Sequence, residues 1–147
     1  MAKVYTIGFT KKTAAKFFGA LTQAGIRRLV DIRLNSVSQL AGFAKQTDLP
    51  YFLKMICDAE YVHEPLLTPP KDLLAAYRKK SVRWEEFERA FIEVLAERRV
   101  EVRIKRKLFA GPSVLLCSEA EPVHCHRRLV AEYLRLKWGG LDIVHLL

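Results

Sequence analysis

The sequence predicts an α/β fold: one domain over residues 1–147, with a mainly parallel sheet of about five strands and helices on both faces. Strand-like and helix-like segments alternate along the chain, which is typical of a parallel sheet covered by helices. The run from Val114 to Cys117 is almost entirely apolar, as expected of a strand buried on both faces. A length of 147 residues is typical of one domain and allows a core without disulfide or metal staples.

The first half of the chain predicts two strands around one helix. An apolar run at 4–7 forms a short strand that Gly8 stops. A helix follows near 13–24, because a threonine can cap its start and its apolar residues recur on one face. Gly25 suits the left-handed position that often ends a helix. The next apolar run predicts a strand near 28–32.

The second half of the chain predicts three more strands and two longer helices. A strand is predicted near 60–63, and the aromatic residues of a helix near 83–98 recur at helical spacing. The apolar run near 113–117 is followed by a helix near 122–138, which a proline opens and two glycines end. A last apolar run predicts a strand near 142–146.

Composition and charge limit the classes of function. Half of the residues are hydrophobic, which excludes a disordered chain. No apolar run approaches the roughly 18 residues of a membrane span, and the first residues lack the features of a signal peptide. We therefore expect a cytoplasmic protein with no membrane partner. The chain has 25 Lys and Arg against 16 Asp and Glu, a net charge of +9, which suits an anionic ligand such as nucleic acid or a phosphorylated metabolite.

The residues best suited to chemistry cluster between the fourth strand and the last helix. Cys117 ends the apolar run, Glu119 follows it, and Cys125, His126 and Arg127 lie in the first turns of the helix. A helix start favours anions and thiolates through its free N–H groups and its dipole. Cys117 or Cys125 is then a nucleophile, with His126 or Glu119 as acid/base and Arg127 holding an anionic group.

Two other interpretations of this cluster stay open. The chain has three cysteines: these two and Cys57. An odd and small number does not indicate a disulfide framework, so their expected chemistry is that of a thiol, a thiolate or a metal ligand. A metal could be bound by both cysteines of the cluster with His63, His124 or His126, although the cysteine spacing does not match a zinc knuckle. Alternatively both cysteines are buried packing residues, and Arg127 pairs with Glu119 as a structural tie. No metal and no cofactor are predicted.

Asp31 and Arg33 are a second candidate pair, at the end of the second strand. Alternate strand residues share a face, and a charge inside an apolar strand is costly unless it is paired. The pair binds substrate, with Asp31 orienting Arg33 or holding Arg127 or His126, or it is a structural salt bridge. Because ligands of open parallel sheets bind at the carboxyl ends of strands, Gly8, Arg33, His63 and Cys117 are expected at one rim.

A basic stretch at 98–107 alternates apolar and charged residues, as in a half-exposed edge strand. Its cationic side chains predict contacts to a nucleic-acid backbone; the residues are Arg103, Lys105, Arg106 and Lys107. The alternative is a solvated charged edge that guards against aggregation. His145, within an apolar run, is expected to be a satisfied core histidine.

Four short motifs, taken in order, resemble one known family. The chain reads Thr-Ile-Gly-Phe-Thr at 6–10, Leu-Val-Asp-Ile-Arg at 29–33, Tyr-Val-His at 61–63, and Leu-Cys-Ser-Glu followed by Cys-His-Arg-Arg at 116–128. The ordered set resembles the domain-of-unknown-function 488 family from about Lys3 to His145. The resemblance implies a compact α/β fold and no established activity.

The resemblance also implies where a site would lie. The shared cysteine, glutamate and Cys-His-Arg residues indicate an enzyme site at Cys117, Glu119, Cys125, His126 and Arg127. Asp31 and Arg33 match the acidic and basic positions at the family's second strand end. Two departures are visible: Phe9 stands where the family usually has histidine, and residues 66–68 replace the usual Glu-Leu-Gly.

Taken together, these features favour an enzyme that acts on nucleic acid or a phosphorylated small molecule through a Cys/Glu/His/Arg site. The rival hypothesis from another class is a non-catalytic nucleic-acid-binding protein that uses its basic surface.

Overall fold

A computed structural model of the chain describes residues 2–34, 42–45, 47–117 and 124–147. Within this part, five strands form one sheet in which every pair is parallel, in the order β3-β2-β4-β1-β5. The strands are β1 (Ala2–Gly8), β2 (Arg28–Asp31), β3 (Glu60–His63), β4 (Ser113–Cys117) and β5 (Leu141–His145). The predicted α/β class is confirmed, and all five strands lie where the apolar runs indicated.

Six α-helices cover the sheet in the described part of the chain. They are α1 (Ala14–Gln23), α2 (Leu49–Phe52), α3 (Lys71–Arg78), α4 (Trp84–Arg98), α5 (Val100–Arg103) and α6 (His126–Trp138). A π-helical turn continues α2 over Leu53–Cys57, and three 3-10 turns lie at Gly42–Ala44, Pro65–Leu67 and Arg106–Phe109. None of these helices combines the length and the apolar character needed to cross a membrane.

The sheet carries one hydrophobic core on each face. Phe17 and Leu21 of α1 pack with Leu49 of α2 on one side, which we call the α1 face. Helices α3 to α6 pack on the other side, the α6 face. β4 lies in the middle of the sheet, and all five of its residues are buried, which explains why its sequence is apolar on both alternations.

The prediction of a half-exposed strand at 98–107 is wrong. Arg99 has a left-handed backbone, with φ of 54°, and it separates α4 from the short helix α5. Val100 and Ile104 are buried, whereas Val102 between them is exposed. Residues four apart share a helical face. Val100 and Ile104 are therefore buried together with helical spacing, although the sequence alternates as a strand would.

The chain changes from the α1 face to the α6 face after β3, because α3, α4 and α5 already pack on the α6 face. After β1 and β2 the next described helices lie on the α1 face, whereas α6 follows β4 on the α6 face. β1 and β4 are neighbours in the sheet, and the helices that follow them, α1 and α6, lie on opposite faces. The topological switch therefore lies at the carboxyl ends of β1 and β4. In open α/β sheets such a switch forms the crevice where ligands bind.

Candidate functional site

The candidate site is built on the carboxyl ends of the strands. The register pairs Gly8 of β1 with Cys117 of β4, and Asp31 of β2 with His63 of β3. A ring nitrogen of His63 lies 3.2 Å from the carbonyl oxygen of Arg33. The structure therefore brings the expected rim positions to one edge, with Gly8 and Cys117 at the switch between β1 and β4.

The sulfurs of Cys117 and Cys125 are joined in a disulfide. This corrects the expectation that all three cysteines are free, and only Cys57 is a free thiol. The physical reason is topological: β4 ends at Cys117, and α6 begins beside that strand end with Cys125 as its N-cap, so the two sulfurs meet. Both residues are buried, at 0% and 3% exposure.

The last helix begins at His126, with Cys125 as its N-cap. The expected start at Pro122 and the candidate acid/base Glu119 lie outside the described residues, as does the tie between Glu119 and Arg127. His126 and Arg127 lie in the first turn of this helix, and Cys125 directly precedes that turn.

Arg127 lies beneath the disulfide and is fully buried. Its Nη1 donates to the Sγ of Cys117 at 3.3 Å, and its Nε donates to the Oγ1 of Thr6 at 3.2 Å. Because Thr6 accepts from Arg127, its own hydroxyl proton is available for the Nδ1 of His145, 2.6 Å away. This series of hydrogen bonds, from Arg127 to Thr6 to His145, thus holds the guanidinium against the sulfur of Cys117.

Thr6 was missed by sequence reasoning as a site residue. The available signal was a hydroxyl residue inside an otherwise apolar strand. His145 has the internal partner expected of it, and burial together with the charge of Arg127 lowers its pKa from the ordinary value. A neutral imidazole with a free Nδ1 lone pair is the form that accepts the bond from Thr6.

His126 closes the other side of the sulfur pair. Its Nε2 lies 2.8 Å from the carbonyl oxygen of Ile32, and since a carbonyl only accepts, Nε2 carries the proton and Nδ1 the lone pair. Burial lowers the pKa of His126 to about 4, and the charges of Arg127 and Arg78 act in the same direction. His126 is therefore neutral in neutral solution, in one defined tautomer.

Of the two cysteines, Cys125 borders a small cavity. This cavity, of about 40 Å³, is bordered by Cys125 and His126, by the apolar and aromatic residues Leu74, Tyr77, Trp84 and Phe87, and by Arg78 and His124. The ring of His124 stacks at a tilt on Trp84, with centroids 5.1 Å apart. A wider apolar groove of about 620 Å³ lies between α1 and α2 on the opposite face, and we do not associate it with the sulfur chemistry.

Asp31 and Arg33 form a buried ion pair with each other, at 0% and 2% exposure. The Nε and Nη2 of Arg33 reach the two carboxylate oxygens at 2.9 and 2.8 Å. The hydroxyl of Tyr61 donates to the same carboxylate at 2.6 Å, and the guanidinium lies over the ring of Phe9. Asp31 and Arg33 flank Ile32, whose carbonyl accepts the hydrogen bond from His126. Their ion pair therefore stabilises the backbone beside the two sulfurs. Its substrate-binding role stays a prediction.

The four predicted nucleic-acid-binding residues are divided between two places. Arg103, Lys105 and Lys107 line a groove of about 560 Å³ beside the edge strand β3. The guanidinium of Arg106 instead donates to the carbonyls of Trp138 and Gly139, where it stabilises the carboxyl end of α6. The structure therefore brings three of the four together.

The site can now be compared with known proteins. The model of a family described as "Domain of unknown function DUF488" matches residues 13–134. The chain belongs to the DUF488 family. The match runs from the start of α1 into α6 and includes both cysteines of the disulfide, so this DUF488 protein carries its sulfur pair within the family domain. No curated protein and no solved structure matches the chain.

Proposed function

We propose that this DUF488 protein is a thiol-dependent enzyme in which Cys117 and Cys125 alternate between disulfide and dithiol. The observation that carries the proposal is the asymmetry of the disulfide. The Sγ of Cys117 accepts a hydrogen bond from the buried Arg127, whereas Cys125 borders an open cavity. One sulfur is thus equipped to leave as a thiolate and the other to be attacked.

The exchange reaction follows from this asymmetry. An incoming thiolate attacks the Sγ of Cys125, a new S–S bond forms there, and the bond between Cys125 and Cys117 breaks. The electron pair of that bond stays on the Sγ of Cys117 as a thiolate, which Arg127 stabilises. In the reverse direction the dithiol reduces a substrate disulfide to two thiols and closes the protein disulfide.

The other site residues have supporting roles in this proposal. Because its pKa is about 4, His126 is a weak base at neutral pH, so Arg127 contributes most to thiolate formation. Glu119 remains the predicted acid/base for proton transfer to a leaving thiol. The cavity admits only the reacting end of a substrate.

The substrate is proposed to be anionic. Arg78 and His124 lie where the cavity meets the surface, and both are exposed. With the net charge of +9, they favour a small molecule that carries phosphate or carboxylate groups. The aromatic residues around the cavity, Tyr77 and Trp84 among them, favour a planar group next to the reacting sulfur.

The first prediction tests this chemistry with two small disulfides. The reduced chain is mixed with the anionic dithiobis-nitrobenzoate or with neutral dithiodipyridine, and release of the coloured thiol is followed by stopped flow. The unchanged chain and Cys57→Ser are expected to release both halves of the reagent quickly, because the second cysteine resolves the mixed disulfide. Cys117→Ser should stop after one half and keep the mixed disulfide on Cys125.

Arg78→Gln is the charge test within the same assay. Its rate with the anionic reagent is expected to fall roughly threefold or more, while its rate with the neutral reagent stays unchanged, since only charge steering is lost. The proposed function would be contradicted if Cys117 and Cys125 released the coloured thiol as slowly as Cys57 does. Equal Arg78→Gln effects on both reagents would contradict the anionic substrate.

The groove beside β3 supports a second candidate function, nucleic-acid binding. Four cationic residues line it, together with three apolar residues and two carboxylates: Arg28, Arg103, Lys105 and Lys107; Val62, Ile104 and Leu108; and Glu60 and Glu64. Cations that neutralise backbone phosphates release counterions, so the affinity depends steeply on salt.

The second prediction concerns this groove. Replacing Arg103, Lys105 and Lys107 together by glutamine is expected to weaken binding of a duplex and of a single-stranded oligonucleotide. The slope of log K against log salt should flatten by about 2 to 3, since each lost phosphate contact contributes about 0.9. Arg106→Gln serves as the matched single variant and should leave the slope nearly unchanged. Identical slopes for the parent and the triple variant in fluorescence anisotropy would remove the groove from any such interface.

A further inference from the structure

We infer that the reduced pair Cys117 and Cys125, together with His126, forms a binding site for a thiophilic divalent cation such as Zn²⁺. The inference rests on the reducible sulfur pair of the proposed function, but it requires no turnover. It concerns the dithiol, because the sulfurs of a disulfide are not thiolates and do not ligate such an ion.

The three ligand atoms already converge. One from each of Cys117, Cys125 and His126 lies within 4.8 Å of the other two, and all three residues are buried. Two ligands of a tetrahedral zinc ion, at about 2.3 Å for sulfur and 2.0 Å for nitrogen, are themselves between about 3 and 4 Å apart. Two thiolates and an imidazole are a soft donor set that selects zinc-like ions over magnesium or calcium.

The surroundings of His126 are those of a metal ligand. Its Nε2 proton is directed to the carbonyl of Ile32, which fixes the ring and leaves Nδ1 as the nitrogen with a lone pair. Ligating histidines usually donate their second nitrogen in this way to a carbonyl or carboxylate. The acceptor, Ile32, directly follows β2, and sequence reasoning had not connected it with α6.

Arg127 supplies the second support. It donates to the Sγ of Cys117 from a fully buried position. Hydrogen bonds to ligating sulfurs are among the outer interactions that tune a metal centre, and the guanidinium charge helps to hold two thiolates together before an ion arrives.

The cavity beside Cys125 and His126 provides an open position. Its volume of about 40 Å³ is sufficient for a water molecule, which needs at least 10–15 Å³. Three protein ligands with room for a water is the arrangement of catalytic zinc sites, in contrast to closed structural sites with four protein ligands. The disulfide and the metal-bound dithiol exclude each other, so the redox state of the pair controls occupancy.

The experiment uses the full chain, reduced with a phosphine under argon, and Co²⁺ as a spectroscopic probe. One Co²⁺ per chain is expected, with a thiolate-to-cobalt charge-transfer band and the visible bands of a four-coordinate ion, and added Zn²⁺ should remove both. Cys125→Ser is expected to lose affinity by on the order of 100-fold or more. Cys57→Ser, which removes the other thiol, should bind normally.

His126→Gln separates the ligand from its hydrogen bond. Glutamine can keep a donor to the carbonyl of Ile32 while it removes Nδ1, so the affinity should fall about 10- to 100-fold and the visible bands should shift. A second measurement needs no variant: Zn²⁺ should protect Cys117 and Cys125, but not Cys57, from iodoacetamide in the reduced chain, and EDTA should restore labelling.

The outcomes separate this inference from the proposed function. Rapid disulfide exchange without a cobalt spectrum or zinc protection would overturn the metal site and leave the thiol enzyme standing. Cobalt binding without exchange would do the reverse. Unchanged bands and affinity in a folded His126→Gln protein would overturn the assignment of His126 as a ligand.

Discussion

Replacing Asp31 by asparagine is expected to destabilise the protein by about 3–5 kcal/mol, because it leaves the charge of a buried partner uncompensated. Arg33 is 2% exposed and makes two hydrogen bonds to the Asp31 carboxylate. The hydroxyl of Tyr61 donates to the same group. The free energy of unfolding is measured from urea transitions, with the slope compared to confirm that the change lies in stability.

Glu60→Gln is the matched control for this prediction. Glu60 pairs with Arg28 across the same two strands, but the Glu60 side chain is 68% exposed. Exposed pairs contribute about 0–1 kcal/mol, so this variant should change the free energy of unfolding little. If both variants cost the same, the buried pair is not a structural brace. Intact stability with weaker binding of an anionic ligand would support the substrate-binding role predicted for Asp31 and Arg33.

Replacing Arg127 by methionine is expected to slow disulfide exchange by the reduced protein about tenfold or more at neutral pH. A neighbouring positive charge favours the thiolate form of a cysteine, and the thiolate is the nucleophile and the better leaving group. Methionine retains length and fills the buried space that the arginine stem occupies. The measurement is the rate across pH at which the second half of neutral dithiodipyridine is released, because this is the step in which the Cys117 thiolate attacks the mixed disulfide on Cys125.

The pH profile distinguishes charge from packing. Loss of the guanidinium should move the midpoint of the rate profile to higher pH, whereas a loosened site would change the rate at every pH alike. Arg128→Met is the matched control, because Arg128 bonds Glu88 and Glu132 on the helix surface. A profile of Arg127→Met that superimposes on the parent would show that Arg127 does not stabilise the thiolate.

Local patterns predicted the elements well because they depend on local causes. Each of these patterns lies within one short segment: the apolar runs of β1 and β4 span a few residues, and the aromatic spacing of α4 spans a few helical turns. The same holds for the position of Cys125 at a helix start, which follows from the end of a strand and the beginning of a periodic segment. The strand predicted at 98–107 failed because Val100, Val102 and Ile104 fit both periods, and burial against α4 and α6 decided for helix.

The pairing of residues distant in sequence could not be predicted in this way. Arg127 donates to Thr6, 121 positions away, and His126 donates to Ile32, 94 positions away. Asp31 meets Tyr61 only because β2 and β3 are neighbours in register. Each of these contacts depends on strand order, and the order β3-β2-β4-β1-β5 leaves no local signature in the chain.

The sequence by itself determined the α/β class, the five strands, the basic charge and the concentration of reactive residues between Cys117 and Arg127. Tertiary structure alone decided that Cys117 meets Cys125. It also decided that Arg127 donates to the Sγ of Cys117 while Cys125 borders a cavity, and that Arg106 is separated from Lys105 and Lys107. The physical reason is that local periodicity follows from the geometry of one helix or strand, whereas these contacts follow from how parallel strands are ordered and where the chain changes face. At the end of β4, local sequence places Cys117 at a strand terminus, and tertiary structure brings Cys125 and Arg127 to its sulfur.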